Sequence, residues 1–395
     1  MKLKHLIILL AFLPSLSFSQ EVGVADVYLL TCGPGEEVYS VYGHSALRIV
    51  IPEKNIDLVY NWGVFDFSTP NFAWRFARGH LDYSLGVSSY ESFLREYYME
   101  KRWVTEQRIN INSEQTAKLF ELITENLKPE NINYRYDFFY DNCSTRIRDL
   151  IEKAVGNDLI YSPDQAWKSL PTFRDLISKY EKGYYWRRAG IDLLVGVEAD
   201  KKASFRDMMF LPLEMKDCLS ETSIRHEGKL IPLLTNPVLV LDFAPPVVSQ
   251  SILAGPMIVF GFLLIICIFL TGWLRDRKSN LIIDLIIYSI FSILALLMIF
   301  FNLFSDHQQL KTNLNIIWLN PFIIICLISL LFNKDWTIWF RLVFFISVGF
   351  LAFLVILPQN INNSFVPLIG ILIVRTSTRA GFSWNPLTIP YLTQL

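Results

Sequence analysis

The stretch Tyr134–Gly156 reads YRYDFFYDNCSTRIRDLIEKAVG, and its reading decides the rest of the chain. Ile147, Leu150, Ile151, Ala154 and Val155 recur at the 3.6-residue period, which predicts a helix with one apolar face. Asp141 or Asn142 can cap its start, and Gly156 can end it. Cys143 therefore falls in the first helical turn, where free backbone N–H groups and the positive end of the dipole favour a thiolate over a thiol. Such a cysteine needs a base, and the best-placed candidate is His44 in VYGHSALRIVI, at the head of a short strand. The competing reading of Cys143 is a small buried apolar residue.

Working outward, two β-rich runs, Ala46–Ile51 and Ile56–Trp62, flank the turn PEKN at 52–55 and read as an antiparallel hairpin. Strict alternation puts His44 on one face with Ala46, Arg48 and Val50, and Leu47, Ile49 and Ile51 on the other. Folding the hairpin about Glu53 and Lys54 brings Asn61 diagonally near His44. Cysteine hydrolases and acyltransferases use a polar third group to hold the histidine tautomer, so Asn61 either does this or simply ends the strand before Gly63. Earlier in the chain, Val27–Leu30 reads as a strand entering a CGPG turn. Later, 113–126 reads as a helix capped by Ser113, and 172–180 as another. The region 65–98 is crowded with aromatic side chains, suited to a core and to a surface that meets lipid or closes over an acyl chain. Phe205, Met208, Met209, Phe210 and Leu211 could rest on a membrane or pack inside.

The 395 residues are 52% hydrophobic, with a mean hydropathy of +0.34 and a formal net charge of -1. That is too apolar for an ordinary soluble enzyme and too neutral for a nucleic-acid binder, so no nucleic-acid partner is expected. Residues 1–20, with Lys2 and Lys4 ahead of an apolar run and small residues at Ser17 and Ser19, read as a secretory signal peptide. Residues 21–248 read as one α+β globular domain, and 249–395 as an all-α transmembrane domain of four to five helices. The apolar runs are 251–274, 281–304, 316–332 and 338–357, with a shorter fifth, 361–374, containing Pro367. Arg275, Arg277, Lys278, Lys334, Arg341, Arg375 and Arg379 mark one side as cytoplasmic, while 305–315 and 359–364 hold only Lys311 and face outward. The globular domain then lies outside. Asp284, near the cytoplasmic end of its run, reads as a snorkelling side chain.

Five cysteines stand at positions 32, 143, 218, 267 and 326 with no C-x-x-C pair, so neither a metal site nor a thioredoxin-type motif is signalled. A Cys32–Cys218 disulfide is allowed, but spacing does not decide it. The candidate substrate-binding side chains are Asn142, Arg48 and Arg146 around the expected site, with Asp306 and His307 in the outward loop SDHQQLKTN.

The order of His44 on a strand, then Cys143 opening a helix in NCSTR, resembles the circularly permuted branch of the NlpC-like papain superfamily, which includes lecithin retinol acyltransferase. Beyond that, LLTCGPGEEVYSVYGHSALRI, YNWGVFDF, FARGHLDYSLG and YDFFYDNCSTRIRDL, with a multi-span tail containing DH and NLNIIWLNP, resemble the Lnb-type lipoprotein N-acyltransferases of Bacteroides and relatives. The resemblance implies a permuted NlpC-like periplasmic domain on a multi-pass inner-membrane anchor, with Cys143 as nucleophile and His44 as base. It implies a phospholipid acyl donor, a diacylglyceryl lipoprotein acceptor and no cofactor. The permuted acyltransferases commonly use a histidine as third residue, and the second hairpin strand here has none. A cell-wall cysteine peptidase or amidase, a membrane-tethered phospholipase and a non-enzymatic assembly protein are the rival readings.

Overall fold

Alternating apolar residues between Asp26 and Leu241 build the strands of a seven-stranded antiparallel sheet. The computed structural model describes residues 25–162, 169–246, 250–274 and 277–382; the expected signal peptide and Arg275 lie outside them. In chain order come β1 (Asp26–Cys32), β2 (His44–Ile51), β3 (Ile56–Val64), α1 (Phe72–Arg78), β4 (Asp82–Ser89), α2 (Tyr90–Met99), β5 (Val104–Arg108), α3 (Ser113–Leu127), β6 (Asn133–Arg135) and α4 (Cys143–Val155). There follow β7 (Leu159–Ile160), α5 (Phe173–Tyr180), α6 (Tyr185–Leu194), α7 (Phe205–Met208), α8 (Pro212–Ser220), β8 (Ser223–His226), β9 (Lys229–Pro232) and β10 (Val238–Leu241). The main sheet runs β10-β5-β1-β2-β3-β4-β6, and β7, β8 and β9 form a small second sheet.

The hairpin forms where the sequence places it, with Ile51 paired to Ile56 and Asn55 turning the corner at φ 51°. Leu47, Ile49 and Ile51 face the buried side of α4, where Ile147, Leu150, Ile151 and Val155 close the main core. Burying four such side chains contributes roughly 6–12 kcal/mol before the entropy of ordering them is subtracted. Ala46 and Val59 join a smaller cluster with Phe93 and Tyr97 of α2 on the other face. The sheet centre is therefore covered on both sides, which holds β2 and β3 rigid beneath the residues they carry.

Several local expectations change. The cap of α3 is Asn112, in a reciprocal capping box with Gln115, and not Ser113. Phe205, Met208, Met209, Phe210 and Leu211 are each 2% exposed or less, so they pack in the core and do not rest on a membrane. All five cysteines are free and buried, and Cys32 and Cys218 sit in separate clusters, so no disulfide joins them.

The helical part comprises α9 (Pro256–Trp273), α10 (Arg277–Leu303), α11 (Asn315–Trp318), α12 (Phe322–Leu331), α13 (Thr337–Phe353) and α14 (Phe365–Arg379). Among the described residues, three stretches are long and apolar enough to cross a membrane: 256–273, 278–303 and 337–356. The third apolar run is broken between α11 and α12, where Pro321 follows Asn320. The fifth becomes α14, about 22 Å long by helical rise, packed on α9 and α13.

Asp284 does not snorkel. It is wholly buried and paired to the guanidinium of Arg375, itself 1% exposed, at 2.7 Å, and to Arg379 at 2.5 Å. Both arginines come from α14, so only packing of α10 against it brings the partners together.

The two outward segments meet the α+β domain directly. Gly196 N–H donates to the Gln309 carbonyl, and the Asn313 and Gln359 amides donate to the carbonyls of Leu193 and Val195. Asn362 reaches Asp192, which also holds Arg174. These bonds fix the site-bearing domain on one side of the bundle.

Candidate active site

His44 opens β2, opposite Cys32 across the ladder, and the register there is regular. Gly43 precedes it at φ 82°, and a Cβ at that position would stand 2.8 Å from the Cys32 carbonyl oxygen and 2.6 Å from Leu213 Cδ1. Glycine is thus required where the chain enters the strand. On β3, the register pairing Leu47 with Tyr60 leaves Asn61 diagonal to His44 on the same face. The two side chains meet, with His44 Nε2 2.5 Å from Asn61 Oδ1. An amide oxygen only accepts, so Nε2 carries a proton and Nδ1 is left to exchange one with a thiol.

Cys143 reaches this point from α4. Asn142 caps the helix, its Oδ1 accepting the N–H groups of Ser144 and Thr145, while Thr145 Oγ1 accepts the Asn142 N–H. The Cys143 N–H is not among the groups this cap engages. The Ser45 N–H points at Cys143 Sγ, and the Ser144 hydroxyl lies 3.8 Å from it. The strands and α4 converge at Gly63, which sits at φ 90° beside a register shift in β3. A Cβ placed there would be 3.6 Å from Cys143 Cβ, 3.9 Å from the Tyr134 hydroxyl and 4.0 Å from His44 Cε1. Neither Gly63 nor Tyr134 stands out as a site residue in the sequence, although Gly63 lies inside YNWGVFDF and Tyr134 opens the stretch Tyr134–Gly156.

The electrostatics of the pair are mutual. Burial works against the Cys143 thiolate, but the charge and hydrogen bond of His44, the Ser45 N–H and the Ser144 hydroxyl outweigh it, so the thiol pKa is lowered. Burial likewise disfavours the imidazolium, yet the charge and hydrogen bond of Cys143 and the bond to Asn61 raise the His44 pKa. Each shift favours the charged form of its group, the direction that promotes a thiolate–imidazolium pair. Cys32 and Cys218 lack such a partner, and burial pushes each up to about 12. Position at the helix start and an adjacent imidazole give Cys143 the chemical character of a nucleophile.

The other sequence candidates fall elsewhere. Asn142 is 2% exposed, and its Nδ2 donates to the carbonyls of Phe138 and Phe210, so every bond of its carboxamide is inside the fold and none is left for substrate. Arg48 shares the His44 face but lies one turn of the ladder away, bound to Asp57 and Glu106 and stacked on Tyr90 at 3.5 Å; it tethers the sheet and not a substrate. Arg146 bonds both oxygens of Asp141 and lies 3.5 Å over the Tyr134 ring. Asp306 and His307 dock on the turn after α1: Asp306 meets His80 at 2.7 Å, and His307 meets the Phe76 carbonyl at 2.7 Å. They line a cavity of about 210 Å³ together with Gly79, His80, Arg135, Tyr136 and Asp137. Burial and then the Cys143 charge hold the Tyr136 phenol of this wall well above its ordinary range. Among the described residues no group of His, Cys, Asp and Glu is arranged to hold a metal ion.

An α+β domain with a thiol–imidazole–carboxamide site, fixed to the outward loops of an apolar helical bundle, defines a membrane-anchored protein whose chemistry lies outside the bilayer. Residues 19–178 match the Lnb N-terminal periplasmic domain, and residues 248–382 match the Lnb transmembrane domain. The chain belongs to the Lnb family, and is thereby a membrane protein of lipoprotein processing with a periplasmic N-terminal domain. Comparison with curated proteins and with solved structures finds no match for this chain.

Proposed function

We propose that the chain is a lipoprotein N-acyltransferase of the bacterial inner membrane, moving an acyl chain from a phospholipid through a Cys143 thioester to the amine of a diacylglyceryl-cysteine. The observation that carries this reading is the contact of Cys143 with His44, itself held by Asn61, in a domain of the Lnb family that sits on a membrane anchor. The thiolate attacks the ester carbonyl carbon, and the lysophospholipid alkoxide leaves with the proton of the His44 imidazolium. The lipoprotein amine then attacks the thioester, gives its proton to His44 and releases the thiolate. Asn61 orients the ring in both steps. The ester already holds the acyl group in activated form, so no cofactor enters.

Anchoring favours this substrate pair. Trp74 of α1 packs on Phe300 of α10 with ring centroids 5.3 Å apart, and a separate set of ring contacts links Phe72, Phe67 and Phe65 to Tyr83, which neighbours Tyr134. An acyl chain leaving the bilayer would meet aromatic side chains of this region, and anchoring keeps both lipid-borne substrates near the domain. The cavity at Asp306 and His307 would take the polar head group. The order of a strand-borne histidine before a helix-borne cysteine supports the permuted NlpC-like topology.

Intact-mass analysis of purified protein incubated with phospholipid tests the proposal. One acyl increment on wild type, lost with hydroxylamine and absent from Cys143→Ser, is the expected result. A diacylglyceryl lipopeptide should then take the acyl group on nitrogen. Discharge to water with the lipopeptide present would instead make the protein a phospholipase, and no increment would sink the thioester route.

A further inference from the structure

Resting on the acyl-transfer reading, we infer that Tyr134 is a further catalytic residue, its phenolic O–H donating to the acyl oxygen while that oxygen carries negative charge. Tyr134 is 8% exposed, and its hydroxyl has no hydrogen-bond partner among the described residues. A phenol this buried ordinarily has one, so the orphan donor asks for an acceptor the resting protein does not supply. It points into the space that Gly63 leaves by having no side chain, the same space bounded by Cys143 Cβ and His44 Cε1. That opening is where a carbon bonded to Sγ would carry its oxygen.

The ring is held for this task. Tyr134 lies on β6, paired with Tyr83 of β4, and Arg146 covers its face at 3.5 Å while Asp141 grips the guanidinium through two bonds. A cation over the ring draws electron density from the phenol and strengthens its O–H as a donor. Burial, and after it the Cys143 charge, keeps the phenol protonated, so it can give a hydrogen bond at any physiological pH. The arrangement also assigns Arg146 a place in the site, as the residue that positions Tyr134.

In the step itself, the Cys143 Sγ–carbon bond forms, and the carbonyl π pair moves to oxygen. The oxyanion takes hydrogen bonds from Tyr134 Oη–H and the Cys143 N–H. The C=O then reforms, the carbon–oxygen bond to the glycerol breaks, and the departing alkoxide receives the His44 proton. The Tyr134 proton stays on Tyr134 throughout.

The test compares full-length wild type with Tyr134→Phe in detergent micelles, using p-nitrophenyl butyrate to acylate Cys143 and iodoacetamide to report its pH profile. Loss of one oxygen donor should slow acylation on the order of 100-fold. The alkylation profile should stay in place, and the thermal midpoint should be unchanged or raised, because the hydroxyl has no bond to lose. Acylation within twofold of wild type overturns the assignment. So does an alkylation profile moved to higher pH, which would make the hydroxyl a partner of the thiolate, and so does a variant that fails to fold. A wild type labelled by the ester but not by phospholipid defeats the donor reading alone, and the Tyr134 comparison is still decided by the same rates. A wild type labelled by neither defeats both.

Discussion

Replacing His44 by glutamine tests the thiolate–imidazolium pair most directly, because it removes the charge and leaves the helix start, the Ser45 N–H and the Ser144 hydroxyl in place. The pair lowers the Cys143 pKa and so enlarges its thiolate fraction at pH 7. An unperturbed thiol near 8.5 is about 3% ionised there, and burial without an imidazole pushes Cys32 and Cys218 to about 12, so the variant should lie at or above the ordinary value. A fully ionised thiolate replaced by a thiol of ordinary value loses about 30-fold in population at pH 7, which sets the scale of the change. A more basic sulfur is intrinsically more nucleophilic and recovers about fivefold of that, so iodoacetamide alkylation at pH 7 should slow by about fivefold. The sign of the pH dependence is equally specific. Wild-type reactivity reaches its plateau at lower pH than a thiol of ordinary pKa would, whereas that of the variant goes on climbing to higher pH. The measurement is the alkylation rate of Cys143 by peptide mass spectrometry from pH 5 to 10. Coincident profiles for the two proteins would refute the pairing of His44 with Cys143.

Asn61→Ala removes a bond that raises the His44 pKa, so the basic limb of kcat/KM should move to lower pH, with kcat down about 10- to 100-fold; an unmoved limb would leave Asn61 a strand residue. Asn142→Ala deletes the α4 cap and strands the Phe138 and Phe210 carbonyls, costing about 2–4 kcal/mol, read as a lower melting temperature in detergent. Asp284→Leu leaves the buried Arg375 without its counter-charge, a loss of about 3–5 kcal/mol, and Asp284→Leu/Arg375→Leu should melt higher than the single variant. Equal melting of the two would show that the ion pair does not govern bundle stability.

How much of the site was legible depended on whether its geometry is local. Cys143 at a helix start follows from a 3.6-residue period and a capping asparagine, both written within a dozen residues. Asn61 beside His44 follows from a turn at 52–55 and the two-residue period of a hairpin, because a ladder transmits register without help from the rest of the chain. Arg48 looked like a site residue for the same reason, sharing the His44 face, but side chains from β5 and α2 claim it. Asn142 was legible as a cap, and burial against Phe210 is what removes it from the surface.

The amino-acid order by itself determined an outward α+β domain followed by apolar membrane helices, a nucleophile-type cysteine at a helix start and a histidine–asparagine pair on one hairpin. Hydrophobic periodicity, capping and charge distribution act over a few turns, so they survive without knowledge of the fold. Only the tertiary structure brought α4 over the end of β2, placed Tyr134 and Gly63 beside the sulfur, bound Asp284 to Arg375 and docked the Asp306–His307 loop on the turn after α1. Apart from Tyr134, nine positions before Cys143, the residues in those contacts lie tens to hundreds of positions apart, and their closeness comes from how buried surfaces pack, which no short-range pattern encodes.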